Sequence, residues 1–129
     1  MIPRLFIFQC SNETYLSCME KGLFGSNLPW PLEVRKDDYC LLHHFEAGTL
    51  LGLWQAVGDG GKKLDSRAWN GKFPYQVKIR LVGAKVTEVT GPALAALQVD
   101  PRMGRFDPVV DEEVARLVLD GMNVVKQNP

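Results

Sequence analysis

Long apolar runs are missing from this chain. Leu5 to Phe8 is among its most apolar stretches, and it falls far short of the roughly 20 residues that a membrane-spanning helix needs. It is also too short for the apolar core of a secretory leader, and Met1-Ile2-Pro3-Arg4 ahead of it lacks a leader's pattern. These absences predict a cytoplasmic protein that does not engage a membrane. Cysteine is scarce: Cys10, Cys18 and Cys40 are the only three, and none forms a Cys-x-x-Cys pair. An odd count without a leader argues against a disulfide framework and predicts buried free thiols. Net charge is absent as well, with 15 basic and 15 acidic residues giving a formal charge of +0. A generic polyanion binder is thereby excluded.

Histidine is scarcer still. His43 and His44 are adjacent on a predicted strand, where neighbouring side chains point to opposite faces and cannot converge on one metal or one proton. The expectation is one histidine toward the core and one toward solvent. The His-Glu-x-x-His, Gly-x-Ser-x-Gly and P-loop patterns are all missing. Gly58-Asp59-Gly60-Gly61-Lys62 lacks the Gly-Lys-Ser/Thr ending and the following helix of a phosphate cradle, so it reads as a loop. With no convergent nucleophile, base or ligand set, the chain is expected to be a binding module rather than an enzyme. Neither a cofactor nor a metal is expected.

What is present suits one domain over residues 1–129, with 46% hydrophobic and 23% charged residues. Leu5 to Cys10 reads as a buried strand. Ser11-Asn12 offers a helix cap, Tyr15, Leu16, Met19 and Leu23 recur at helical spacing, and Gly22 stops the helix. Pro29 and Pro31 confine Trp30 to an extended loop. Tyr39 to Phe45 and Leu50 to Val57 form a hairpin across Glu46-Ala47-Gly48. Asp65 caps a short turn reaching Trp69, and Asn70-Gly71 is a tight turn. From Tyr75 to Val89 the pattern alternates, with Val77, Ile79 and Leu81 opposite Lys78 and Arg80. A short helix follows Thr90-Gly91-Pro92, and Asp111 caps a last one with Val114, Leu117, Val118 and Met122 as its apolar stripe.

The charge is unevenly spread. Lys62, Lys63, Arg67, Lys72, Lys78, Arg80 and Lys85 face only Asp59 and Asp65 in their segment. Two readings stand: a solvated strand face, or a weak anion-facing surface. The aromatic residues are more informative. Trp30, Trp54 and Trp69 lie in or beside predicted loops or strand ends, and Phe24 sits just past a helix end. Singly, such residues serve a core. Converging on one cavity, they would box a flat or cationic ligand. Strand alternation leaves Trp54 open between pocket and core.

Read in order, Phe6 to Thr14, Leu23-Phe24-Gly25, Leu50 to Ala56, Asp65, Ala68-Trp69 and Phe73-Pro74-Tyr75-Gln76-Val77 resemble the DCD (development and cell death) domain of the PUA-like superfamily. The DCD domain looks in turn like the EVE and YTH branches, curved barrels that bind nucleic acid, with an aromatic cage for a modified base in the best-known cases. Trp69-Asn70-Gly71-Lys72-Phe73 resembles the Trp-Lys-Gly-Lys-Phe stretch of YTH domains, whose tryptophan helps form the cage. Phe24 falls near a second cage position, and Ser11 and Asn12 fall at the strand-to-helix junction lining the same pocket.

The resemblance implies an α/β (α+β) fold, a PUA-like curved β-barrel of five to six strands with about three flanking helices. It implies a binding module for a nucleotide or modified base in nucleic acid. Trp69 and Phe24 would be opposing walls, Asn12 would read the base edge, and Lys62, Lys63, Arg67 and Lys72 would meet phosphates. The alternative it implies is a protein-interaction module of stress signalling, with Trp30 and its flanking prolines as anchors for a protein partner.

Overall fold

A computed structural model describes residues 4–123. The chain runs β1 (Leu5–Cys10), α1 (Asn12–Lys21), β2 (Leu23–Ser26), β3 (Tyr39–His44), β4 (Thr49–Ala56), β5 (Gly61–Lys62), β6 (Tyr75–Leu81), β7 (Thr87–Glu88), α2 (Gly91–Leu97) and α3 (Glu112–Gly121). The seven strands form one mixed sheet ordered β1-β3-β4-β6-β2, with β5 on β6 and β7 on β4. β1 and β3 are parallel, Leu5 opposite Tyr39 through Cys10 opposite His44, and the other pairings are antiparallel. In a flat sheet, strand spacing of about 4.8 Å would hold the two end strands roughly 19 Å apart. Yet Phe8 of β1 and Phe24 of β2 bring their ring centroids to 5.3 Å. The sheet is therefore strongly curved, and its ends meet through side chains while the hydrogen-bonded path stays open. This is the expected mixed fold with three helices, its five longer strands supplemented by the two-residue β5 and β7.

Strand alternation distributes the core over both faces of this sheet. Phe6, Phe8 and Cys10 point inside the curve with Phe24, Leu42, Trp54 and Val77. Leu5 and Ile7 point the other way, with Leu41, Leu50 and Leu53, against Ala93 of α2 and Ala115, Val118 and Leu119 of α3. With both faces covered, neither histidine reaches solvent, which corrects the expectation for one of them: His43 is 3% exposed and His44 8%. His43 Nε2 donates to the Pro101 carbonyl at 2.8 Å, and His44 Nδ1 accepts from the Ala47 amide at 3.2 Å. The three thiols are free and buried as expected.

Ser11 caps α1. Its hydroxyl accepts from the Thr14 amide at 3.3 Å, and the Thr14 hydroxyl accepts from the Ser11 amide at 2.9 Å. Gly22 ends the helix with φ 58°, the left-handed region open to glycine. The chain then enters β2 rather than a loop. Leu23 and Phe24 are both buried, so β2 shows no alternation that a sequence reader can use. Leu16 of α1 and Leu117 of α3 face solvent, at 65% and 48% exposure, while Cys18 and Ala115 take the inward positions. Trp30 is not extended either: it opens a 3₁₀ turn, Trp30–Glu33, closed by Leu32 N–H on Pro29 O and Val34 N–H on Pro31 O.

Candidate functional site

The chain leaves β1 at Ser11 and leaves β2 at Ser26. Between these two exits lies a cavity of about 430 Å³. Ser11 and Thr14 border it from the β1–α1 junction, and Gly25 to Leu28 from the β2 exit. Phe8, Trp30 and Phe73 line its aromatic side. Phe45, Arg105 and Phe106 also belong to the lining. The aromatic side is ordered by packing. Trp30 lies nearly parallel to Phe6, 7° off at 6.1 Å between centroids, and tilts onto Phe8 at 4.4 Å.

Trp69 stands behind this wall. Its indole N–H donates to Ser17 Oγ at 2.8 Å, and its ring meets Phe73 edge to face at 5.7 Å. A methyl group at position 25 would sit 2.7 Å from Trp69 Cζ3 and 3.0 Å from Phe73 Cβ, so the indole occupies space that only glycine leaves free. The loop backbone is strained: Trp69 and Asn70 have φ of 51° and 54°, followed by Gly71 at 77°. Left-handed non-glycine residues of this kind persist where surrounding contacts over-determine them. Here the restraint is Gln76, 1% exposed. Its Oε1 accepts from the Asp65 amide at 2.7 Å, and its Nε2 donates to the Asp65 and Phe73 carbonyls, both at 3.1 Å.

The residues singled out in the sequence fall in different places. Ser11 borders the cavity. Asn12 is exposed on the first turn of α1, its amide donating to Glu46 Oε1 at 2.7 Å, and lies outside the lining. Phe24 as a ligand wall must be corrected, and for Trp54 the open choice between pocket and core falls to the core: they are 0% and 2% exposed and pack edge to face at 5.0 Å. The inward face of the curved sheet claims both. Lys62 holds its ammonium 5.9 Å from the Tyr75 ring centroid, Lys63 is exposed just past β5, and Lys72 is exposed after Gly71. Arg67 lines a separate groove with Lys21 and Lys78. None of the four expected phosphate contacts lines the cavity. Sequence reasoning missed Phe73 as a wall, although the Phe-Pro-x-Gln-Val motif contained it. It also missed Phe45, Arg105 and Phe106, for which no local pattern exists.

Among the described residues no helix is long and apolar enough to cross a membrane, and no group of three or more His, Cys, Asp or Glu side chains is placed to hold a metal ion.

The fold is shared with solved structures. The YTH domain of Zygosaccharomyces rouxii MRB1 in complex with N6-methyladenosine RNA superposes with a TM-score of 0.57 at 15% identity, covering 92% of this chain and 85% of that one. The Mmi1 YTH domain in complex with RNA gives 0.61 at 14% identity, over 97% and 81%. The Pho92 YTH domain in complex with m6A gives 0.58 at 14% identity, over 100% and 87%. At such identity the likeness is one of fold. The DCD domain-containing protein NRP-A of Glycine max is 30% identical over 84 residues, which cover 57% of this chain. The match spans only 23% of that protein's length. Residues 5–89, from the first residue of β1 to just beyond β7, match the development and cell death domain. The chain belongs to the development and cell death domain family.

Proposed function

We infer that this domain is a non-catalytic nucleic-acid reader that takes one splayed base, a modified base foremost, into the cavity between Ser11 and Phe73. The observation that carries the reading is the cavity itself: about 430 Å³ with Trp30, Phe73 and Ser11 in its lining. That volume falls in the usual range of small-ligand pockets, about 300–1,000 Å³. Taking a base out of its stack costs a few kcal/mol, which ring stacking at roughly 1–3 kcal/mol per base offsets. In this reading Trp69 acts through Phe73, fixing the plane of the wall. Ser11 bonds the base edge, Asn12 reaches in from the rim, and Lys72 meets the adjoining backbone. Support comes from the shared fold, since solved relatives include YTH domains in complex with N6-methyladenosine RNA.

The test is a panel of nine-nucleotide RNAs carrying one central adenine, N6-methyladenine, cytosine or 5-methylcytosine, titrated against wild type and Phe73→Ala. The expected result is binding that Phe73→Ala weakens by roughly ten- to hundred-fold, the equivalent of one lost stacking contact, with its melting temperature largely kept. Failure of the wild type on the whole panel would overturn the reading.

A second reading has one observation behind it. Leu28 and Leu32, on either side of Trp30, are 57% and 41% exposed. An interface for a protein partner would be anchored on these leucines rather than on Trp30, which is half-buried against Phe6 and Phe8. Leu32→Asp separates the two readings. It lies outside the cavity lining and should leave RNA binding intact while abolishing capture by a protein partner.

A further inference from the structure

A second concavity, about 420 Å³, lies toward the C-terminal end of α1. Three cations reach it from three different elements: Lys21 from the last turn of α1, Lys78 from β6 and Arg67 from the loop that carries Trp69. One carboxylate opposes them. Asp65 Oδ2 stands 3.9 Å from Lys21 Nζ, and its other oxygen accepts from the Arg67 backbone amide at 3.0 Å. Three positive groups less one negative group leave a surplus of two charges in the groove. Among the described residues, Arg67 and Lys78 have no carboxylate partner. Lys21 has a local reason to be where it is, since a cation in the last turn favours the helix dipole. Arg67 and Lys78 have none, and gathering like charges in one groove is unfavourable until an anion neutralises them.

The groove and the base cavity are neighbours. Leu23 lines the groove and Gly25 the cavity, and alternate residues of one strand share a face about 7 Å apart. From Ser11 at the cavity to Lys21 at the groove, α1 covers about 15 Å. Trp69 joins the two strips, resting on Gly25 of β2 and hydrogen-bonded to Ser17 of α1.

We propose that Lys21, Arg67 and Lys78 form a phosphate site that grips the backbone of the same strand whose base enters the cavity, and this proposal rests on the nucleic-acid reading above. At roughly 3.4 Å per stacked nucleotide, the held phosphate lies about two to four nucleotides from the inserted base. Asp65 limits the affinity by presenting its carboxylate to the same groove.

The experiment uses the full chain and two probes: a nine-nucleotide RNA with one central N6-methyladenine, and a nine-unit abasic phosphodiester of the same backbone charge. Binding is followed across 50–300 mM salt for wild type, Lys21→Gln/Lys78→Gln and Asp65→Asn, with melting temperatures as a folding control. Each neutralised contact on a single strand removes about 0.7 from the slope of log affinity against log salt, so the double variant should lose about 1.4. Asp65→Asn should tighten binding by about two- to five-fold. Amide shifts at Lys21, Arg67 and Lys78 should respond to the abasic probe as well as to the RNA. An unchanged salt slope in the double variant, or silent amides in the groove with the abasic probe, overturns the phosphate site. If the base-bearing RNA binds no better than the abasic probe while the groove amides respond, the base pocket fails and the phosphate site stands.

Discussion

Gln76 is the residue on which the site depends most directly. A side chain 1% exposed makes three hydrogen bonds to the loop that presents Trp69 and Phe73. Removing it leaves the Asp65 amide and the Phe73 carbonyl without partners, while the Asp65 carbonyl keeps the Ala68 amide, at about 1–3 kcal/mol for each group left unsatisfied. Gln76→Ala should therefore destabilise the domain by about 2–4 kcal/mol, read by denaturant unfolding, and weaken RNA binding beyond its effect on folding. Gly25 is the complementary case. Because a β-carbon there would lie 2.7 Å from Trp69 Cζ3, a stiff ring atom, the indole must move. Gly25→Ala is expected to cost about 1–3 kcal/mol by overpacking and to shift the tryptophan emission spectrum. An unchanged spectrum at unchanged stability would show that the loop adapts and that Trp69 does not set the wall.

At the scale of the element, α1 carries two duties at its first turn. Ser11 both caps the helix and borders the cavity. The duties separate by substitution, because replacing a serine cap by alanine costs about 0.5–2 kcal/mol and by glycine only a few tenths. Ser11→Gly should keep the melting temperature near that of wild type while lowering affinity for the modified-base RNA; equal affinity would assign Ser11 to capping alone. The same element shows how far sequence reading reaches. Its cap and its left-handed stop at Gly22 are local and were legible in Ser11-Asn12 and Gly22. Its inward face was not. Leu16, expected on the apolar stripe, faces solvent, because what packs on α1 is β1 and β2, and nothing within ten residues of helix specifies that.

The whole molecule is a sheet buried on both faces, and its thiols report on that burial. Burial pushes Cys10 and Cys18 from an ordinary value of 9.0 up to about 12, and Cys40 higher still. A raised thiol pKa means that the folded state keeps its proton while the unfolded state releases it. Stability is therefore fully present below about pH 9 and declines as pH rises from there towards 12. Melting temperature measured from pH 8 upward should fall, and Cys18→Ala should flatten part of that fall. A disulfide reagent should meet no reactive thiol until the protein unfolds. Reaction of native protein at neutral pH would contradict the burial of all three.

Legible along the chain was what neighbouring residues impose on one another: the strands Leu5–Cys10, Tyr39–His44 and Thr49–Ala56, the hairpin, the caps at Ser11 and Asp111, and the ordered motifs of the family. Alternation, capping and turn chemistry act over a few residues and leave a local pattern. Which aromatic residues are available depends on packing between distant segments. Curvature brings β2 against β1 and draws Phe24 and Trp54 into the core. A left-handed loop, clamped by Gln76, places Trp69 behind Phe73 rather than in the open. Phe45 meets the cavity from beyond β3, and Arg105 and Phe106 from the segment between α2 and α3, because a concave site is made by the closure of a sheet, and closure has no sequence period.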